Sequence, residues 1–165
     1  LVPALGQQLV TKAASDIGLH LSSYPLVSVQ PQIFVPELGN AQHCQLPLWP
    51  MQLRYKAGVV GSVHNKSRKK LWGLTARPAP KNVELKFKLT TNTPLPYEVK
   101  WQVVNTGKEA FEAKGLRGGF YNSEDGLPNI HWESTLYNGT HWVEAFIIKD
   151  GVCVARSGPK VVKVR

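Results

Sequence analysis

Beyond Trp49 apolar and polar residues alternate with a period of two. Leu53, Tyr55, Ala57 and Val59 interleave with Arg54 and Lys56; Val83, Leu85, Phe87 and Leu89 interleave with charges; Tyr97, Val99, Trp101 and Val103 interleave with Glu98, Lys100 and Gln102. A pleated strand sends successive side chains to opposite faces, so this pattern predicts three half-buried strands. Turns are expected at 65–68 and 78–82, with Leu71-Trp72 a further short strand and a helical turn over 109–114. Asn138-Gly139 separates runs over 130–137 and 140–149, and Asp150-Gly151 separates the latter from 152–156. Both dipeptides suit two-residue hairpin turns, whose central residues need positive φ. A last strand is expected over 160–164. The predicted class is all-β, an antiparallel β-sandwich of immunoglobulin-like type with seven or eight strands.

The N-terminal quarter reads differently. Leu9, Val10, Ala13, Ala14 and Ile17 share one helical face, which predicts a short helix over 7–21 weakened by Gly18. Prolines at 25, 31, 36, 47 and 50 then preclude a continuous helix and discourage central strands, because each lacks an N–H and restricts φ. This stretch is expected to be a tether or a wrapping arm. The division is therefore a helix plus Pro-rich connector over 1–47 and a sandwich over 48–165.

A tight turn at Asn138-Gly139 would make opposing residues sum to 277. One face then gathers Ile130, Trp132, Ser134, Leu136, His141, Val143, Ala145 and Ile147, the expected core side. The other gathers His131, Glu133, Thr135 and Tyr137 opposite Phe146, Glu144, Trp142 and Thr140, too aromatic for a wet surface and too acidic for a core. Glu133 and Glu144 become cross-strand neighbours, and like charges so placed need a cation, a proton or a ligand between them. Arg117 and Arg156 are the candidate cations. At Asp150-Gly151 the corresponding sum of 301 sets Arg156 beside Ala145 on the core side, making it a buried ion-pairing residue or the sign of a bulge. The preferred arrangement pairs Arg117 with a glutamate beside Trp142 and Tyr137, offering hydrogen-bonding groups and an aromatic ledge to a ligand; the plainer alternative is a structural salt bridge.

Net charge is +9, from twenty Lys and Arg against eleven Asp and Glu. From Arg54 to Lys100 eleven cations face only Glu84 and Glu98. Such a field attracts polyanions. Lys86 and Lys88 read as the wet face of a strand, whereas Lys66, Arg68, Lys69 and Lys70 are candidate phosphate contacts. The register places His131 and His141 on opposite faces, so no metal site is expected and no cofactor is implied. Glu133 and Glu144 could in principle form a glycosidase pair, but no groove, phosphate loop or nucleophile motif accompanies them, and the chain is not expected to be an enzyme. Cys44 and Cys153 are expected to be reduced. No apolar run reaches the roughly 20 residues of a membrane helix, and no signal peptide is evident, so no membrane partner and a cytoplasmic location are expected. Beginning at Leu1, the chain is expected to be a segment of a longer polypeptide.

Several ordered motifs carry a resemblance. Tyr97-Glu98-Val99-Lys100-Trp101-Gln102-Val103-Val104-Asn105-Thr106-Gly107, Leu116-Arg117-Gly118-Gly119-Phe120, Trp132-Glu133-Ser134-Thr135, Tyr137 through Phe146, and Ala155-Arg156-Ser157-Gly158 together resemble the adenylyl/guanylyl cyclase and SMODS C-terminal sensor domain, over about 48–165. The resemblance implies a ligand-sensing domain fused behind a nucleotidyltransferase of bacterial antiviral systems that make cyclic-nucleotide signals. Its implied partners are a nucleotide or nucleic-acid ligand and that N-terminal nucleotidyltransferase domain. The family pattern and the register agree on Glu133, Thr135, Tyr137, Trp142 and Glu144 as ligand-binding residues, and the pattern alone adds Asn105 and Arg117. Two further readings stand beside this one: a protein-interaction or oligomerisation module, and an RNA-binding domain acting through Lys66 to Lys70.

Overall fold

The computed structural model describes residues 42–75, 77–124 and 126–165. The helix predicted over 7–21 and most of the Pro-rich arm lie outside the described residues. The described chain runs through β1 (Ala57–His64), β2 (Lys70–Gly73), β3 (Glu84–Thr91), β4 (Glu98–Val104), the helical turn α1 (Lys108–Glu112), β5 (Phe120–Asn122), β6 (Ile130–Ser134), β7 (Gly139–Lys149), β8 (Val152–Arg156) and β9 (Lys160–Val164). The strand ladders between them are antiparallel and form two sheets: β2-β1-β3-β6, and β5-β4-β7-β8 with β9 also on β7. The fold is the expected all-β antiparallel sandwich, with nine strands among the described residues.

The inward sets of the alternating runs meet between the sheets. Val63, Leu85, Phe87 and Leu89 from the four-stranded sheet pack with Val99, Trp101, Val103, Val143, Ala145, Ile147, Val162 and Val164 from the other, all of them buried. Burying each large apolar side chain contributes about 1.5–3 kcal/mol. The five-stranded sheet carries an apolar patch on its outer face too, where Phe146, Ile148 and Cys153 pack with Trp49 and Phe120. Covering that face is the last part of the Pro-rich stretch, a strap over 43–54. Gln45 N–H donates to Gly118 O, Cys153 N–H to Pro50 O, and Gln52 and Arg54 N–H groups to Cys153 and Val154 carbonyls.

Asp150-Gly151 makes the predicted tight turn, with φ of 52° and 75°, and pairs Lys149 with Val152. A bulge between Ile147 and Ile148 then shifts the register by one, so Arg156 faces Phe146 instead of Ala145. Asn138-Gly139 is not a hairpin. β6 pairs with β3 and β7 pairs with β4, β8 and β9, so the dipeptide carries the chain from one sheet to the other. Glycine is needed there for another reason: φ is 141°, and a Cβ on Gly139 would stand 2.5 Å from the Thr106 carbonyl oxygen.

The inward face of β6 is therefore the reverse of the one predicted. Pairing with β3 sets His131 against Phe87 and Glu133 against Leu85, with Thr135 buried beyond them; Trp132 and Ser134 face out and Leu136 is exposed. On β7 the predicted core residues Val143, Ala145 and Ile147 do face the core.

Candidate functional site

Where β6 ends and the chain crosses to β7, the sheets part and leave a cavity of about 90 Å³. Its floor is Leu85, Phe87, Val103, Val143, Val162 and Val164, and its polar rim is Asn105, Arg117, Glu133, Thr135, Tyr137 and His141. Exposed Ser134 and Leu136 border it on the solvent side.

Arg117 and Glu133 dominate the rim. The guanidinium Nη1 and Nη2 donate to the two Glu133 oxygens at 2.5 and 3.1 Å, Nε donates to the Tyr121 hydroxyl at 3.1 Å, and the Tyr121 ring lies 4.4 Å beneath the guanidinium carbon. Glu133 Oε1 also lies 2.7 Å from His131 Nε2. Burial by itself would raise the Glu133 carboxyl, but hydrogen bonds from His131 and Arg117 overcome it and hold the group below its ordinary value. His131 stacks on Trp101 at 5.3 Å between ring centroids, and its buried Nδ1 has no hydrogen-bond partner among the described residues.

The remaining rim residues are framing members. Asn105 clasps the loop that carries Arg117, its Nδ2 donating to Gly115 O and its Oδ1 accepting from Arg117 N–H. Thr135 Oγ1 donates to Pro80 O at 2.8 Å and accepts from Val83 N–H at 3.0 Å. Tyr137 packs over Gly115, where a Cβ would meet its hydroxyl at 2.5 Å. Glu109, ion-paired to Lys81, accepts from Asn138 N–H and pins the crossing.

Six of the seven predicted ligand-binding residues, Asn105, Arg117, Glu133, Thr135, Tyr137 and Trp142, thus border one cavity. Strand alternation turns Trp142 toward the outer face, however, so it makes no ledge with Tyr137. Glu144 is elsewhere: on the outer face of the five-stranded sheet it is bound by Arg156 Nε and Nη2 at 2.8 and 3.0 Å. The two glutamates are not cross-strand neighbours, because their strands belong to different sheets; each has its own arginine. Arg156 is both the ion-pairing residue and the mark of a bulge. Lys66, Arg68, Lys69 and Lys70 lie in the β1–β2 connection and at the start of β2, away from the cavity. Sequence reasoning missed Tyr121, His43 and Gln45; a tyrosine four residues after Arg117 was the available signal for the first. Among the described residues no group of His, Cys, Asp and Glu is arranged to hold a metal.

His141 links the cavity to pH. Its Nδ1 accepts from Thr106 N–H at 3.2 Å and its Nε2 lies 2.9 Å from Tyr137 O, a pattern that requires the neutral ring. Burial lowers its pKa from the ordinary 6.5. As pH falls below about 6.5 the unfolded chain takes up this proton before the folded one, so stability drops. Glu133, lowered from 4.5, contributes stability above that value that is lost as pH falls through its folded pKa. The urea midpoint is therefore expected to decline in two stages on acidification. His141→Asn should remove the upper stage alone; an unchanged upper stage would show that His141 does not cause it.

Two packed antiparallel sheets with a partly polar cavity at one end define a β-sandwich domain whose distinctive chemistry lies at that end. The chain belongs to the Adenylyl/Guanylyl and SMODS C-terminal sensor domain family, which it matches over residues 39–165. It is thus a sensor domain of the kind associated with nucleotidyltransferase-type proteins. No curated protein and no solved structure matches the chain. No helix among the described residues is long and apolar enough to cross a membrane.

Proposed function

We propose that this domain senses a nucleotide or nucleic-acid ligand at the cavity and gates a nucleotidyltransferase linked on its N-terminal side, in a cytoplasmic antiviral signalling system. The observation that carries this reading is the Arg117–Glu133 pair on the cavity rim: a bidentate fork that suits a phosphate, held against a carboxylate that a ligand anion can displace. The cavity is small beside the roughly 300–1,000 Å³ of sites that enclose whole ligands. The ligand inserts one ring edge or one phosphate and rests its remainder against Tyr137 and Leu136. Residues 1–47 are the connector in this proposal and 48–165 the sensor. Two free thiols, Cys44 and Cys153, support a reducing compartment.

A route for gating accompanies the site. The loop that delivers Arg117 also holds the strap: Gly118 O accepts from Gln45 N–H, a Cβ on Gly118 would collide with His43 O, and His43 Nε2 lies 2.9 Å from Asn105 O. Displacing Arg117 therefore moves the backbone against which residues 43–45 rest, and the strap leads toward the N-terminal side.

Native mass spectrometry of the purified chain is the test. The expected result is a bound mass of a nucleotide or short oligonucleotide. A bare chain that also gains no thermal stability from added mono- and cyclic nucleotides would overturn the reading.

A further inference from the structure

A second surface lies outside the cavity, on the outer face of the four-stranded sheet. The register sets Ser62, Lys86 and Trp132 in one row across β1, β3 and β6, Val60, Lys88 and Ile130 in the next, and Lys70, His64, Glu84 and Ser134 in a third. Onto this face the β1–β2 connection folds Arg68, whose guanidinium carbon lies 4.5 Å from the Trp132 ring centroid. Lys86 Nζ lies 5.4 Å from the same ring and the His64 ring 4.9 Å from it. Lys66 and Lys69 occupy the connection itself.

The charge is one-sided. Among the described residues six cations share this surface with two carboxylates: Glu84, which accepts from the Ser134 hydroxyl, and Glu124, 3.8 Å from Arg68. Among the described residues none of Lys66, Lys69, Lys70, Lys86 and Lys88 forms a salt bridge. Lys86 and Lys88 stand about 6.8 Å apart along β3, two residues at about 3.4 Å each. Crowding like charges around an aromatic ring is unfavourable unless a polyanion neutralises them. The indole also holds the Arg68 guanidinium in place, so less side-chain freedom is lost when Arg68 binds an anion. Arg68 has φ 58°, with its carbonyl 2.9 Å from His64 Nδ1.

We propose that this face docks a single strand of nucleic acid, its phosphates running along Lys86, Lys88 and the 66–70 connection beside Trp132. A flat row of cations around an aromatic side chain is the arrangement that holds single strands irrespective of sequence. This surface meets the cavity at Ser134 but shares no cation with it, and it does not depend on the cavity reading.

Fluorescence anisotropy with a labelled oligouridylate of about 20 nucleotides tests it, because single-strand sites cover about 4–16 nucleotides per domain. Affinity should fall with salt at a log–log slope of about −0.7 per phosphate neutralised, or about −3.5 to −4.2 for five or six contacts. Lys86→Ala with Lys88→Ala should shrink that slope by about 1.4. Lys160→Ala with Lys163→Ala, on β9 of the other sheet, should leave it unchanged. Trp132→Leu should weaken binding severalfold through loss of the ring on which Arg68 is perched. Added mono- and cyclic nucleotides, the ligands proposed for the cavity, should not displace the oligonucleotide, which separates failure of this surface from failure of the cavity. Absence of binding at low salt, equal losses in the two lysine pairs, or binding to phosphatidylserine vesicles without oligonucleotide binding would each overturn the proposal.

Discussion

Arg156→Leu is expected to lower the melting temperature by about 10–20 °C. Glu144, 4% exposed, lies in the middle of β7 on a face covered by the strap, and both its oxygens are bound by Arg156, whose guanidinium rests over Phe146. Removing one partner of a buried pair strands the other charge, at a cost of about 3–5 kcal/mol. For a domain of this size each kcal/mol shifts the midpoint by about 3–4 °C. Glu144→Leu together with Arg156→Leu should recover most of the loss, because well-packed apolar replacements of a buried pair are often neutral. Differential scanning fluorimetry of the single and double variants checks both. A single variant melting within about 3 °C of the parent would mean that the pair contributes like a solvated one.

Arg117→Ala combined with Glu133→Gln is expected to abolish ligand retention while the fold survives. The double variant removes both charges, and the amide that replaces the Glu133 carboxylate still reaches His131. Arg117→Ala alone leaves a carboxylate only 14% exposed with one remaining partner, so the single variant should be less stable than the double. That inverted order is the signature of a charge pair. Bound mass, read by native mass spectrometry, should disappear in the double variant while circular dichroism remains that of a β-sandwich. A double variant that fails to fold would make the pair a structural keystone and remove the sensor site.

Much of this was legible in the chain because the relevant signals are local. Leu85-Phe87-Leu89 and Val99-Trp101-Val103 alternate with charges, and a pleat converts such alternation into two faces without outside help. Asp150-Gly151 makes its turn from its own backbone preferences. The pairing of Arg117 with a glutamate, and the grouping of His131, Glu133, Thr135 and Tyr137 on one side of their strand, followed from charge and parity alone.

Other features depend on contacts distant in sequence. Parity divides a strand into two sets but does not say which set faces inward; that depends on the neighbouring strand. β6 bonds to β3, far earlier in the chain, and this turns Glu133 and His131 inward, where Arg117 and Trp101 receive them. Asn-Gly is a strong hairpin signal only when the flanking strands pair with each other. Here each finds its partner in a different sheet, and the glycine serves close approach to Thr106 instead. One inserted residue in β8 moves Arg156 from the core side to Glu144. Local preferences thus specified the strands and their two sides, while partner choice, worth more in buried area than any single turn, assigned those sides to core, cavity or surface.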